Sequence, residues 1–212
     1  MTKKKIGLLF AAILLVVASV LGTMAYLTST DAVENTFTVG NIKIKLDEAK
    51  ANPDGSLVED ADRVQANEYK LIPGHEYNKD PMVTVLDGSE ESYIRMKVTF
   101  SHLAELDEIF APSGADMTSI FDGYDANKWE LYEVTKDTAA NTRTYEFRYF
   151  ETVPATAADV ALEPLFTSII VPGTITNEQL ANIEGMTISV IADAIQADGF
   201  STADLAWTAF DN

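Results

Sequence analysis

The segment Tyr93 to Phe100 constrains the fold more than any other. Ile94, Met96, Val98 and Phe100 alternate with Arg95, Lys97 and Thr99. Strict alternation of apolar and polar residues belongs to a strand with one face buried and one face wet. Similar short patterns return along the chain. Thr36 to Leu46 alternates with a shift across Gly40-Asn41, as a bulge or turn produces. Met82 to Leu86, Trp129 to Val134, Thr144 to Phe150, Leu165 to Val171 and Met186 to Ala192 also read as strands, with Ala194 to Ala197 extending the last. Turn signals separate them: Asn52-Pro53-Asp54-Gly55, Pro73-Gly74, Asp87-Gly88-Ser89, Pro172-Gly173 and Asp198-Gly199. About eight short strands without βαβ alternation predict an all-β chain with short helices, folded as an antiparallel sandwich.

Helical signals are few. Ser101 is placed to cap a helix bearing Leu103, Leu106, Ile109 and Phe110, ended by Pro112. Asp116 to Phe121 reads as a further helical turn. Thr176 and Gln179 form a capping box for a helix carrying Leu180 and Ile183, with Gly185 at its C-terminal end. Asp47 to Glu68 is acidic and small-residue rich, and reads as a surface excursion. The tail holds Trp207 and Phe210.

The chain of 212 residues has no cysteine, so disulfides, thiolate metal sites and thiol nucleophiles are excluded. His75 and His102 are its two histidines, too few for a histidine metal site or an HExxH helix. Ser101-His102 lacks a GxSxG elbow. Glu90-Glu91 and Glu105/Asp107/Glu108 read as solvated acidic faces in a chain with 33 acids against 15 basic residues. Calcium has no EF-hand ligand pattern to occupy. Arg95 is the basic residue to watch, and its spacing from Lys97 reads as a solvent-facing pair on one strand face. No catalytic residue and no cofactor is assigned. The net charge of -18 disfavours nucleic acid as a partner.

The N-terminus reads as an export signal. Lys3, Lys4 and Lys5 precede an uncharged, mostly aliphatic run from Ile6 to Leu21, and Thr23 and Ala25 supply small residues at a cleavage site before Tyr26. The alternative is an uncleaved membrane anchor, since the uncharged run continues to Thr30. With cleavage, residues 1–25 are the signal, 26–35 an extended arm containing Tyr26, Leu27, Ala32 and Val33, and 36–212 one domain. Cleavage removes three lysines and no acid, taking the charge from -18 to -21.

Several segments in order resemble the TasA/camelysin family. They are Gly22-Thr23-Met24-Ala25-Tyr26-Leu27-Thr28 and Asn35-Thr36-Phe37-Thr38-Val39-Gly40-Asn41-Ile42, then Pro73-Gly74, Lys79-Asp80-Pro81, Val83-Thr84-Val85, Gly88 and Tyr93-Ile94-Arg95. Ala194-Ile195-Gln196-Ala197-Asp198-Gly199-Phe200 with Trp207 closes the set. Where this chain has Leu86, the family often has Asn. The resemblance implies a jelly-roll sandwich and export through a SipW-type signal peptidase. It also implies a structural role in extracellular biofilm matrix fibres at the cell surface or beyond it. Assembly would be head-to-tail with other copies: the freed arm of one subunit fills a gap in the next as a donated strand. Other matrix or anchoring proteins are further implied partners, and the membrane is one only through an uncleaved signal. The family also carries a metalloprotease label through camelysin, which these residues do not support. A monomeric surface protein that anchors such fibres is a third possibility.

Overall fold

A computed structural model of the chain describes residues 40–110 and 120–212. The expected signal, its cleavage residues Thr23, Ala25 and Tyr26, the arm with Leu27, Ala32 and Val33, and Phe37 lie outside the described residues. So do Pro112 and most of the turn expected at Asp116 to Phe121. The unit Gly40–Asn212 is mostly β, with three antiparallel sheets and three short helices among the described residues.

The strands are β1 Ile44–Asp47, β2 Glu76–Asn78, β3 Met82–Val85, β4 Ser92–Ser101, β5 Phe121–Asp122, β6 Trp129–Asp137, β7 Thr142–Tyr149, β8 Val160–Ala161, β9 Ser168–Ile170 and β10 Ile188–Gln196. The helices are α1 Leu103–Phe110, α2 Asn177–Asn182 and α3 Ala203–Phe210. The main sheet runs β10-β4-β7-β6; the smaller ones run β1-β3-β8 and β2-β9-β5. Ile188 pairs with Phe100, Val98 with Tyr145, and Trp129 with Tyr149.

The alternation in β4 decides where the core lies. Ile94, Met96, Val98 and Phe100 are all buried, as are Tyr145 and Phe147 beside them on β7. Rings fill the space behind: Phe121 stacks on Phe166 with centroids 4.6 Å apart and meets Tyr145 edge-on at 5.6 Å. Offset and edge-on rings add about 0.5–1.5 kcal/mol per pair beyond the area they bury.

The capping box forms as expected, with the Thr176 side chain accepting the Gln179 amide and the Gln179 side chain accepting the Thr176 amide. Other expectations need correction. Ser101 ends β4 and does not cap α1. The cap is Asn141, whose side-chain oxygen accepts the Ala104 amide at 2.9 Å and whose carbonyl accepts the Leu103 amide. Asn141 sits in the β6–β7 turn with φ of 53°, which Asn tolerates. The strand expected from Leu165 to Val171 contracts to Ser168–Ile170. The last strand, expected from Met186 with an extension through Ala194 to Ala197, runs from Ile188 to Gln196 as β10. The tail is a helix, α3, capped by Thr202 through the Leu205 amide.

The excursion from Asp47 to Glu68 is tied to the body. Glu48 bridges Val64, Ala51 bridges Leu57, and Arg63 holds both Asp47 and Asp80. Gly55 fixes its turn with φ of +89°, and a Cβ there would stand 2.7 Å from the Glu76 carbonyl. Glycine is required by both the conformation and the close approach.

Candidate functional site

Two sheet edges run alongside each other without a ladder between them. They are β1, the outer strand of its three-stranded sheet, and β10, the outer strand of the main sheet. In an antiparallel pair, alternate residues turn their backbone groups toward and away from the neighbouring strand. The Ser101 amide donates to the Thr187 carbonyl at 3.1 Å and the Ala197 amide to the Glu91 carbonyl at 2.8 Å. With the β10–β4 register, these bonds put the odd positions of β10 against β4. Ile188, Val190, Ala192 and Ala194 therefore turn N–H and C=O away from β4. On β1, the Leu86 amide donates to the Lys43 carbonyl, so Ile44 and Leu46 turn theirs away from β3.

The side chains of these six residues pack partly buried against the core. Between the edges lies a cavity of about 590 Å³ bounded by Ile44, Leu46, Ile188 and Val190. A second cavity of about 600 Å³ adjoins it, lined mainly by apolar residues that include Phe100, Leu106, Ile109, Ile175 and Ile183. Asn67, Lys79 and Ile188 border both. The result is a slot with unpaired strand edges on two sides and an apolar recess at one end. An extended segment suits such a site, supplying backbone partners to the edges and side chains to the recess, once β1 and β10, which come within 8 Å of each other, part to the roughly 9.6 Å that a strand between them needs.

Ion pairs hold the β1 side in place. Arg63 donates to Asp47 at 2.5 Å and to Asp80 at 2.8 Å, and its guanidinium also bonds both backbone carbonyls. Burial works against the Asp47 charge. The Lys45 ammonium and the Arg63 guanidinium outweigh it and hold the carboxyl below its usual range. Lys79 reaches Glu48 at 2.5 Å, with both side chains buried. Burial, with the Glu48 charge beside it, pushes the Tyr69 phenol well above its ordinary value.

Arg95 anchors the β10 side, and here the expected solvent-facing pair is wrong. Arg95 is 1 % exposed. It donates to Asp193 on β10 at 2.9 Å and to both carboxylate oxygens of Asp211 at 2.8 and 2.6 Å. Its guanidinium lies 4.5 Å from the Trp207 ring and 4.9 Å from that of Phe210. The bond to Arg95 holds the Asp211 carboxyl below its usual range despite some burial. Helix α3 thus covers the Arg95 row of the sheet's outer face. Lys97, one row along, keeps partial exposure and pairs with Glu146 at 3.6 Å.

The other expected positions fall into three groups. Arg95 and Trp207 meet directly, while Gln196 and Gly199 shape the turn between β10 and α3 through the Gln196 amide and a φ of +89° at Gly199. Asp80 and Pro81 lie by the slot: Asp80 accepts the Ala49 amide at 2.6 Å and Pro81 lines the cavity. Pro73, Gly74 and Gly88 form turns away from it, and Gly40 lies against Glu90. The edge residues Ile44, Leu46, Val190, Ala192 and Ala194 were not singled out, because alternation marks a strand and says nothing of whether a neighbour covers its edge.

Among the described residues, no group of three or more His, Asp and Glu side chains is placed to hold a metal ion. No described helix is long and apolar enough to cross a membrane. Comparisons with protein-family models, curated proteins and solved structures give no match.

Proposed function

We propose that the chain is an exported structural subunit of extracellular fibres, of the TasA/camelysin type with a jelly-roll sandwich. Signal cleavage frees the arm Tyr26–Asn35, which enters the slot between β1 and β10 of the next copy. The observation that carries this reading is the pair of facing edges, whose free backbone groups and inward apolar side chains suit a donated strand. Length fits as well. Ten extended residues reach about 33 Å, and β10 has nine residues. The contact is head-to-tail and does not close, so it propagates as a filament.

Charge supports the same reading. Subunits at -21 after cleavage repel one another, so a specific backbone-paired contact is needed to hold them. The test is the mature protein with and without residues 26–35, viewed by electron microscopy. Filaments from the whole chain and none from the truncated one are expected. Identical filaments from both would overturn the donated-strand reading.

A further inference from the structure

Glu48, Asn67 and Lys79 converge where the slot meets the apolar recess, and the proposed assembly makes no use of them as a trio. Lys79 and Glu48 are 7 % and 5 % exposed. One Glu48 oxygen accepts from Lys79 Nζ at 2.5 Å, and the other accepts from Asn67 Nδ2 at 3.0 Å. Asn67 Nδ2 also donates to the Ala49 carbonyl at 2.9 Å, and Asn67 Oδ1 accepts the Ala51 amide at 2.9 Å. These partners fix the side-chain amide. Only its oxygen can face the Ala51 N–H, and only its NH2 can face a carbonyl and a carboxylate.

The arrangement holds a nucleophile, a proton carrier, an acyl group and a donor for the developing oxyanion. A lysine becomes nucleophilic when a neighbouring base takes its proton in a water-poor site. A fixed N–H aimed at the carbonyl oxygen stabilises the tetrahedral intermediate. The leaving nitrogen already bonds the same carboxylate that faces the lysine, so proton pickup and delivery need no side-chain exchange.

We infer that Lys79 and Asn67 join in an intramolecular isopeptide bond, with Glu48 carrying the protons. Lys79 Nζ gives a proton to Glu48 and attacks Asn67 Cγ. The Ala51 amide holds the oxyanion. Glu48 delivers the proton to Nδ2, the Cγ–Nδ2 bond breaks, and a second proton follows by the same route. Lys79 Nζ keeps one hydrogen in the new amide, ammonium leaves, and Glu48 returns to its carboxylate. No oxidation or reduction occurs. The bond exchanges the buried Lys79 ammonium for a neutral amide, whose N–H can still donate to the Glu48 carboxylate, and pins the excursion to the strand β2 side of the recess. It gives a cysteine-free chain a covalent staple, and it does not depend on the assembly reading.

Mass spectrometry of the purified full chain, denatured and digested with trypsin, tests this. The expected result is a linked species in which Val64–Lys70 is joined to a peptide uncut at Lys79, lighter by one ammonia than the unlinked pair. Glu48→Ala and Asn67→Ala are each expected to abolish it. Free Val64–Lys70 and Leu71–Lys79 peptides from the wild-type chain would overturn the inference whether or not the variants fold. Loss of water in place of ammonia would contradict the choice of Asn67 as acyl donor, and a link persisting in Glu48→Ala would contradict the role of Glu48.

Discussion

The two edges of the main sheet are built to opposite specifications. β6 carries Glu130, Glu133, Lys136 and Asp137 among nine residues, and its register shifts between Leu131 and Glu133. Its outward backbone groups are also capped: the Tyr124 hydroxyl accepts the Leu131 amide and donates to the Trp129 carbonyl. Charge, a bulge and a cap are the means by which proteins stop an edge from pairing. β10 has none of these. Its one charged residue, Asp193, is occupied by Arg95, and Ile191 stands 56 % exposed. On the proposed reading, the unprotected edge is the one that takes the donated strand.

The largest effect that could break this contrast comes from proline. The Val190 N–H faces the slot and bonds no neighbour in the β4 ladder, so Val190→Pro removes a donor that assembly needs and the sheet does not. We expect circular dichroism close to wild type with complete loss of filaments by electron microscopy. Filaments at the normal rate would mean the β10 edge takes no strand.

Next in size is Arg95→Ala. It leaves Asp193 and Asp211 without their shared cation, while Glu146 keeps Arg148 and Lys97, and it uncovers Trp207. Breaking a buried ion pair from one side costs about 3–5 kcal/mol; the half-exposed Asp211 favours the lower end. A urea titration is expected to show a loss of about 3 kcal/mol, and a loss under about 1 kcal/mol would show that α3 contributes little to holding β10.

Tyr124→Phe removes the cap on β6 and leaves the ring in place. One lost hydrogen bond is worth about 1 kcal/mol. The expected outcome is that small loss in urea, together with slow off-pathway association through β6 in light scattering. Unchanged association would show that charge and bulge alone protect that edge.

The smallest effect concerns acid. Asp211 has its pKa lowered in the folded chain by Arg95. Its contribution is therefore present above the unfolded value of 3.8 and is lost as pH falls below it, through the folded value. Tryptophan fluorescence should hold steady down to that point and then change as α3 loosens. In Asp211→Asn the acid-dependent part of that change should shrink. A transition centred well above the usual carboxylate range would contradict the assignment.

Much of the β architecture was legible in the sequence. β4 announced itself through four buried alternating residues, and strands β6 and β7 and the α2 capping box followed from local pattern. What failed was whatever depends on a distant partner. Alternation correctly placed Arg95 and Lys97 on one face, but it could not show that α3 covers the Arg95 row alone. The sequence Ala203 to Phe210 has only one turn of apolar spacing on either side of Trp207, and Arg95 holds it down from more than a hundred residues away. Asn141 caps α1 from across a hairpin, which no local motif at Ser101 could signal. The slot was the least legible part, because an unpaired edge is a property of the sheet and not of the strand.

The most direct test of the central claim is amide hydrogen exchange in assembled filaments against soluble mature protein. The account predicts new protection at Ile44, Leu46, Ile188, Val190, Ala192 and Ala194, with the β6 amides unchanged. Protection gained along β6, or none gained along β1 and β10, would contradict it.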